Sequence, residues 1–396
     1  MFGAPKVVTD EAKIDMLLSR AVDEVIPGKE EIKKLLMSGR RLRVKLGIDP
    51  TSPNLHLGRS VPLLKLKDFQ DLGHQAILIV GDATGVVGDT SDKKSERPML
   101  SRVAVKKNAE TYFAQAATIL EGGFERRYNS NWLDSLSFAE LGEMANEFSV
   151  AEFIARDNIS RRLAEGTRVS LRETLYPLMQ GYDSVAVKAD IEIGGVDQRF
   201  NLLAGRTLQA HYKQTPQGIV TTQFPIEGLD GRKMSSSWGN TIAFTETPNE
   251  MFGKVMSITD DLVEKYFQVL TRVPLEQVEE YVAGHPKEAK LALAEELVRM
   301  YHGKRAARKA KEGFIEIFSK GGVPEHIQTV SKGGLSTTLD VLVRNEVVSS
   351  NSELRRLVGQ GAITYVDTNE KVRDFNAEMK PGIYKIGKHR FVRVVK

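Results

Sequence analysis

The sequence contains no cysteine among its 396 residues. This absence excludes disulfides, thiolate zinc sites and cysteine nucleophiles. The seven histidines show no spacing of the HExxH kind, so we expect no structural metal ion. Long hydrophobic runs are also missing. Nowhere do about 18 apolar residues follow one another, and the sequence therefore predicts no membrane-spanning helix.

A targeting signal is another feature that the sequence lacks. The first residues, Met1–Lys6, do not show the basic and then apolar pattern of a secretory signal. Together with the lack of cysteine, this predicts a cytoplasmic protein. The apolar fraction of 41% and the charged fraction of 27% are ordinary for a soluble globular protein. The length predicts two or three domains.

The net charge of +4 is concentrated at the end of the chain. Residues 337–396 contain eleven lysines and arginines against seven aspartates and glutamates, so this stretch alone accounts for the whole excess. A basic segment of this kind predicts a polyanionic partner, such as a nucleic acid.

Alternating strand and helix patterns predict an α/β fold for the first half of the chain. The run Val44–Ile48 is of strand type, Val61–Leu72 is helical, and Ala76–Val80 is a continuous apolar run typical of a strand buried on both faces. This β-α-β unit predicts a Rossmann-like, doubly wound parallel sheet. Before it, the apolar spacing across Ile14–Val25 predicts a helix. Two further strands are expected, at Ala186–Ile193 and Ile219–Phe224.

The same patterns divide the chain into three expected domains and one linker. Two glycine pairs, Gly321-Gly322 and Gly333-Gly334, favour a flexible linker between them. The expected segments are a catalytic Rossmann-like domain at 1–227 with a helical insertion at about 126–185, a mobile loop and α-helical domain at 228–320, a linker at 321–336 and a small α+β domain at 337–396.

The string His56-Leu57-Gly58-Arg59 follows the Val44–Ile48 strand and opens a helix. Open parallel sheets bind ligands beyond the carboxyl ends of their strands. A glycine there allows close backbone approach, and a helix N-terminus favours phosphate. The string therefore predicts a phosphate site, with His56 as a further donor. The alternative is that His56 only caps the helix and Gly58 only serves packing.

The second string, Lys233-Met234-Ser235-Ser236-Ser237, follows the turn Gly228–Gly231. A lysine and several hydroxyls on a mobile loop suit closure over a triphosphate. The alternative is a solvated polar loop. The glycine-rich string Gly81–Gly88 is not followed by Lys-Ser or Lys-Thr, which disfavours a P-loop kinase or GTPase.

Together the two strings resemble the signatures of the class I aminoacyl-tRNA synthetases, usually written HIGH and KMSKS. Further strings extend the resemblance to the bacterial tyrosyl-tRNA synthetases and over nearly the whole chain. These strings are Gly47–Thr51, Ala83–Asp89, Tyr176–Asp183 and Gly194–Asn201.

The resemblance implies roles for residues of both strings and of the strand ends. Asp197 would bind the ribose of the adenylate. The residues implied in catalysis are His56, Arg59, Lys233 and Ser235. The residues implied in ATP binding are Gly47, Asp49, Thr51, His56, Gly58, Asp197, Lys233, Met234 and Ser237.

Tyr176, Gln180 and Asp183 are spaced so that they share one face of a helix. By resemblance, Asp183 accepts the proton of the substrate phenol, and a buried carboxylate left without that hydroxyl rejects phenylalanine. Without the flanking motifs, the alternative is an amphipathic helix whose polar face meets water. The residues implied in tyrosine binding are Thr84, Asp89, Asn129, Tyr176, Gln180, Asp183 and Gln198, of which Asp89 joins Tyr176 and Gln180 around the α-ammonium group.

Three residues depart from the family pattern. Arg59 stands where the second histidine of the first signature is usual, and its charge is fixed. Ser236 replaces the second lysine of the loop signature, so one ammonium contact to pyrophosphate is lost. Lys45 occupies a position where many relatives have a tyrosine that contacts the substrate phenol, so the partner of Asp183 in specificity is left open.

The basic end of the chain resembles a small RNA-binding domain that bacterial tyrosyl enzymes share with a ribosomal protein. The string Ser349–Val358 resembles one of its helices. Phosphate contacts from such a domain give salt-dependent affinity that depends little on sequence. The residues expected to contact tRNA are Arg355, Arg356, Lys388 and Arg390.

The resemblance thus implies a tyrosine–tRNA ligase. Such an enzyme joins tyrosine to ATP, releases pyrophosphate and transfers the tyrosyl group to the 3′ end of tRNA(Tyr). Mg²⁺ would accompany ATP without a dedicated protein cage, and two copies would pair through the helical insertion. Two alternatives stay open: a tryptophanyl-type enzyme of the same class, and a relative that binds RNA but has lost catalysis.

Overall fold

The fold is described from a computed structural model, which describes residues 6–90, 99–121, 123–319, 327–334, 337–345, 347–348, 350–387 and 390–396. The chain forms two compact units, Met1–Lys311 and Glu312–Lys396. The division of the first unit near residue 227 stays a prediction. Of the expected linker, residues 321–326 and 335–336 lie outside the described residues, and residues 327–334 include a strand.

The first unit is organised around a six-stranded sheet with the order β1-β6-β5-β2-β3-β4. Neighbouring strands are parallel, except that β1 runs antiparallel to β6. The strands are β1 (Val22–Ile26), β2 (Arg43–Ile48), β3 (Gln75–Val80), β4 (Glu125–Tyr128), β5 (Ile191–Gly195) and β6 (Gly218–Thr222). The α/β prediction is confirmed, and β2, α3 and β3 form the expected β-α-β unit.

Helices surround this sheet and continue beyond it. Those of the described residues are α1 (Glu11–Leu17), α2 (Lys29–Met37), α3 (Leu57–Asp71), α4 (Thr84–Val87), α5 (Arg102–Ala109), α6 (Tyr112–Ala116), α7 (Ser130–Leu133), α8 (Phe138–Asn146), α9 (Val150–Ile154), α10 (Asp157–Ala164), α11 (Arg172–Val187), α12 (Arg199–His211), α13 (Pro248–Met256), α14 (Val263–Leu270), α15 (Leu275–Ala283), α16 (Pro286–His302) and α17 (Lys304–Ser319). Among the described residues, no helix combines the length and the apolar character that crossing a membrane needs.

Two local predictions were wrong. The helix expected across Ile14–Val25 ends at Leu17, and Val22–Ile26 is instead a strand beside β6. Ala21, between the two, has a φ of 56°, which fits neither a right-handed helix nor a strand. The strand expected from Ala186 begins only at Ile191, because α11 continues to Val187. In both cases apolar residues suited either structure, and pairing across the sheet decided the outcome.

A buried ion pair holds the helical insertion together. Arg162 on α10 is 0% exposed and donates from Nη1 to Glu173 Oε2 on α11 at 2.6 Å. Thr90 donates to the same carboxylate oxygen at 2.7 Å. Burial alone would raise the pKa of Glu173, but the hydrogen bonds from Arg162 and Thr90 outweigh it and hold the pKa below its usual value. The pair therefore fixes α10 and α11 beside the stretch that follows α4.

The second unit contains a five-stranded sheet with the order β7-β11-β10-β8-β9. Its apolar core includes Leu354, Ile363 and Val392, all 0% exposed. The elements of this unit beyond α17 are β7 (Gln328–Ser331), α18 (Thr338–Arg344), α19 (Asn351–Gly359), β8 (Ile363–Tyr365), β9 (Glu370–Lys371), β10 (Gly382–Ile386) and β11 (Arg390–Val395). The end of the chain therefore combines helices and strands, as the sequence predicted, whereas the bounds 337–396 of that domain stay a prediction.

Candidate active site

A cleft of about 460 Å³ opens where β2, β3 and β5 end. This is the edge at which an open parallel sheet binds its ligands. Most residues that the sequence analysis singled out for ATP and tyrosine come together in its lining: Gly47, Asp49, Thr51, His56, Arg59, Thr84, Asp89, Asn129, Tyr176, Gln180, Asp183, Asp197, Gln198, Lys233, Met234 and Ser235. Gly58 lies behind this lining, and the side chain of Ser237 lies outside the described residues.

The two signature strings touch each other. The Gly58 N–H points to the Met234 sulfur at 3.1 Å, and Leu57 N donates to the Ile242 carbonyl at 2.9 Å. A Cβ atom at position 58 would lie 2.9 Å from the His56 imidazole, closer than such contacts normally come. A side chain at position 58 would therefore force the His56 ring to move.

His56 is a neutral imidazole in a positive environment. It is 7% exposed, and its Nδ1 has no hydrogen-bond partner among the described residues. Burial, and then the nearby charges of Arg59 and Lys233, lower the pKa of His56 to about 3. The ring is therefore uncharged at pH 7 and offers a hydrogen bond rather than a full charge.

Arg59 and Lys233 give the cleft a positive side. The Arg59 guanidinium lies 5.5 Å from the centre of the Phe224 ring, and Lys233 Nζ lies 5.6 Å from it. Lys233 Nζ is also 3.6 Å from Asp197 Oδ2. Two cations beside one aromatic ring at a helix start form a site suited to an anion such as a polyphosphate.

The loop that carries Lys233 is held by one buried amide. Asn240 is 3% exposed and donates from Nδ2 to Asp230 Oδ1 at 2.7 Å and to the Lys233 carbonyl at 3.0 Å. Its Oδ1 accepts from Ser235 N at 2.8 Å. The hydroxyl oxygens of Ser52 and Ser236 are 3.2 Å apart, which joins this loop to the one that precedes His56.

The floor of the cleft is a buried carboxylate. Asp183 is 4% exposed and accepts from Trp132 Nε1 at 2.8 Å and from Asn129 Nδ2 at 3.3 Å. Burial raises the pKa of Asp183 to about 7, although Lys45, Trp132 and Asn129 act in the opposite direction. An acceptor of this kind, with donors fixed around it, suits a ligand hydroxyl group.

Other polar side chains of the floor are tied to one another. Tyr176 OH donates to Asp49 Oδ2 at 2.8 Å, and Thr84 donates to Asp49 Oδ1 at 2.7 Å. Gln198 Nε2 donates to Asp89 Oδ2 at 2.7 Å. These contacts link the segments that follow β2, β3 and β5 with α11 and form one polar surface. The carboxylate oxygens on this surface make the floor suited to an ammonium group.

Several residues of the cleft were not predicted as site residues. Phe224, Asn108 and Tyr112 line it, and the last two donate to the carbonyls of Pro50 and Ser52 at 3.0 and 2.6 Å. Trp132 does not line it but donates to Asp183 at its floor. A signal existed only for Phe224, an aromatic residue at the end of an expected strand. The others lie far along the chain from the parts that they hold.

Lys45, which stands where many relatives have a tyrosine, does not line the cleft. Its side chain is 1% exposed and lies behind the residues that line the cleft. Its Nζ is 3.1 Å from Glu192 Oε1. Glu192 was not predicted as a site residue.

In the second unit, the residues expected to contact tRNA differ in how exposed they are and in whether they already bind other residues. Arg355 and Arg356 are exposed on α19. Arg390 instead donates to the Val347 carbonyl at 2.8 Å and to Glu353 Oε1 at 2.5 Å. Lys388 lies outside the described residues. Arg390 thus has a structural task within its own unit.

Comparison with known proteins identifies the family. The family model described as class I tRNA synthetases (W and Y) matches residues 37–319. The tyrosine–tRNA ligase of Thermotoga maritima is 42% identical over 398 residues, which cover 98% of each chain. That of Carboxydothermus hydrogenoformans is 44% identical over 409 residues, again 98% of each chain.

Solved structures show the same fold at lower identity. A C-terminally truncated mitochondrial tyrosyl-tRNA synthetase of Aspergillus nidulans is 20% identical, with a TM-score of 0.65 over 78% of this chain and 94% of its own. The tyrosyl-tRNA synthetase of Archaeoglobus fulgidus, solved with L-tyrosine, is 22% identical, with a TM-score of 0.61 over 76% and 100%. On its sequence matches, the chain belongs to the class I tRNA synthetases of the tyrosine and tryptophan family, and within them to the tyrosine–tRNA ligases.

Proposed function

We propose that this cleft makes tyrosyl adenylate from tyrosine and ATP, and that the chain then transfers the tyrosyl group to tRNA(Tyr). The proposal is carried by Asp183, a buried acceptor with two fixed donors at the floor of a cleft whose other side is positive. The substrate phenol would donate to Asp183. Its ammonium group would lie near Tyr176, Gln180 and Asp89, with Thr84, Asn129 and Gln198 supporting the floor.

The first step needs no general base, because the tyrosine carboxylate is already ionised. One carboxylate oxygen attacks the α-phosphorus of ATP, a new oxygen–phosphorus bond forms, and the bond to the β-phosphate breaks to release pyrophosphate. Positioning and charge stabilisation therefore supply the catalysis.

We assign the phosphate contacts to the positive side of the cleft. Neutral His56 would donate to α-phosphate oxygens, and Arg59 and Lys233 would stabilise charge on the leaving pyrophosphate. Ser235 and Ser237 would add hydroxyl contacts. Gly47 supports an ATP site, because a Cβ atom there would meet nothing within 4 Å. The backbone at Gly47 therefore leaves room for a ligand, with Asp49, Thr51 and Asp197 beside it.

ATP would arrive as its Mg²⁺ complex. Among the described residues, no group of three or more histidine, aspartate or glutamate side chains is arranged to hold a metal ion. The phosphate oxygens themselves are sufficient ligands for a magnesium ion, which typically keeps several waters. The protein side chains would then contact the phosphate groups and would not bind the magnesium ion directly.

In the second step a ribose hydroxyl of the terminal tRNA nucleotide attacks the carbonyl carbon of the adenylate. The ester bond to tRNA forms, and AMP leaves. We propose that Arg355 and Arg356 bind the tRNA backbone, whereas Arg390 mainly holds α19 to β11. We place this reaction in the cytoplasm.

We also propose that two copies pair through the helical insertion. Phe138, Leu171 and Val150 in this segment are 90%, 80% and 73% exposed. Large apolar side chains so exposed are expected at interfaces. A second copy is the occupant we favour, since the resemblance to dimeric relatives covers this segment.

ATP–pyrophosphate exchange with a panel of amino acids tests the assignment of substrate. We expect exchange with tyrosine and none above background with tryptophan. The conservative change Asp183→Asn should lower kcat/KM for tyrosine by at least about 10², because the phenol loses a charged acceptor while the donors Trp132 and Asn129 stay in place. Exchange with tryptophan, or none with any amino acid, would contradict the proposal.

His56→Ala should reduce the rate of adenylate formation by about 10²–10³, the scale for one lost donor at a developing charge. Single-turnover formation of tyrosyl adenylate measures this directly. His56→Gln keeps a donor at similar reach and should recover part of the rate. If His56→Ala keeps its activity within a few-fold, His56 is not a phosphate ligand.

Replacing both Arg355 and Arg356 by alanine should leave tyrosine activation unchanged and raise KM for tRNA several-fold. The slope of tRNA affinity against salt should fall by about 1–2, because two phosphate contacts are lost. Filter binding at several salt concentrations measures this. Replacing the exposed Lys29 and Lys34 of α2 removes equal charge elsewhere and serves as control. Equal losses in both variants would refute a specific role for α19.

Light scattering should give a mass near twice the 44.0 kDa of one chain. The double change Phe138→Asp with Leu171→Asp should lower that mass towards one chain, because buried charge opposes pairing. Val282→Asp, at a position 40% exposed on α15, is the control and should leave the mass unchanged. A single-chain mass for the unaltered protein would rule the pairing out.

A further inference from the structure

We propose that Lys45 and Glu192 act as a pair of positioning residues for tyrosine, with Glu192 orienting the amide of Gln180 and Lys45 holding both partners in place. The inference rests on the proposed function, since it concerns the same tyrosine pocket. Neither residue lines the cleft, so both would act through Gln180 and Asp183 rather than by touching substrate.

The register of the sheet brings the pair together. Lys45 on β2 and Glu192 on β5 are direct partners on neighbouring parallel strands, so their side chains leave the same face of the sheet. Each is 1% exposed, and Lys45 Nζ lies 3.1 Å from Glu192 Oε1. Lys45 Nζ also donates to the main-chain carbonyl of Gln180 at 3.1 Å. The pair thus fixes one turn of α11 against the sheet.

Glu192 determines which way the Gln180 amide points. Gln180 Nε2 donates to Glu192 Oε1 at 3.1 Å. The amide oxygen is then left as the acceptor, and an acceptor is what an α-ammonium group requires. Ser184 donates to the other carboxylate oxygen at 3.0 Å, and the Gln217 amide donates to it as well. With both of its oxygens engaged, Glu192 cannot readily turn away from Gln180.

Lys45 also bears on the other end of the substrate. Burial raises the pKa of Asp183, and the positive charge of Lys45 opposes that rise more than any other neighbour does. A lysine at this position therefore favours the charged form of Asp183, which is the stronger acceptor for a phenol. The charge of Glu192 raises the pKa of Asp183, but less than Lys45 lowers it, so the pair as a whole favours the charged form. The pair accordingly acts on both groups by which tyrosine would be recognised.

Stability alone does not account for the pair. Replacing a buried ion pair by apolar residues of similar volume is often neutral or stabilising, because desolvation offsets the attraction between the charges. Removing one partner only is costly, since the other charge stays buried. A double replacement therefore separates a structural role from a positioning role.

The test is the double variant Lys45→Met with Glu192→Gln in the full chain, measured by ATP–pyrophosphate exchange. We expect KM for tyrosine to rise roughly tenfold to hundredfold, the scale of a hydrogen bond to a charged group, with KM for ATP unchanged. The preference for tyrosine over phenylalanine should fall as well. Thermal unfolding reports whether the variant is folded.

Lys65→Met is the matched control. Lys65 is also 1% exposed, and its Nζ binds the carbonyls of Leu17 and Arg20 at 2.6 and 2.8 Å, away from the cleft. This variant should lose stability but keep KM for tyrosine. If the double variant does not fold, Glu192→Gln alone should show the same rise, since it keeps the size of the side chain and removes the charge that orients the Gln180 amide.

The outcomes separate the two proposals. No exchange with tyrosine in the unaltered protein would overturn the proposed function. Exchange in the unaltered protein, together with a folded double variant whose KM for tyrosine and preference over phenylalanine stay within about threefold of the original, would overturn the positioning role alone.

Discussion

The burial of one carboxylate, Asp183, is the constraint on which the site depends. Its pKa of about 7 lies above the ordinary value, so the protonated form is favoured in the folded protein. The stability that this group contributes is present below about pH 4 and is lost as pH rises through 7. Near neutral pH, the charged form of Asp183 therefore lowers the stability of the folded protein, and other interactions have to offset this loss. Trp132, Asn129 and Lys45 do so from three different elements, and this explains why α7, β2 and the loop after β4 converge on one face of α11.

The phosphate side depends on contact between chain segments rather than on burial of charge. Gly58 leaves space for the His56 ring and meets the Met234 sulfur, so the two signature strings share one contact. Two of the three departures from the family pattern lie at this junction. Arg59 is placed over Phe224, and the shorter Ser236 meets Ser52. The chain therefore lacks the usual lysine charge at position 236, and it has instead a permanent arginine charge at position 59.

Much of this could be predicted from the sequence, for physical reasons that differ by element. The strand of Ala76–Val80 is buried on both faces and therefore reads as a continuous apolar run. Tyr176, Gln180 and Asp183 were expected on one helix face because helical spacing is local. The strand at Val22 was missed because its apolar residues also fit a helix, and only pairing with β6 decides between them. Trp132 was missed because its partner Asp183 is 51 residues away along the chain. Glu192 was missed because Lys45, its partner of opposite charge, is more than a hundred residues away.

The buried charges of the first unit fall into two kinds, and the difference supports a role for Lys45 beyond stability. Lys65 binds the carbonyls of Leu17 and Arg20, and Arg162 binds Glu173, so each joins secondary-structure elements away from the cleft. Lys45 and Glu192 also join two strands, but those strands already share a parallel ladder and need no further tie. What the pair adds is contact with Gln180 and an electrostatic effect on Asp183. A charge pair that contacts Gln180 and acts electrostatically on Asp183 is best explained by the substrate that those two residues would bind.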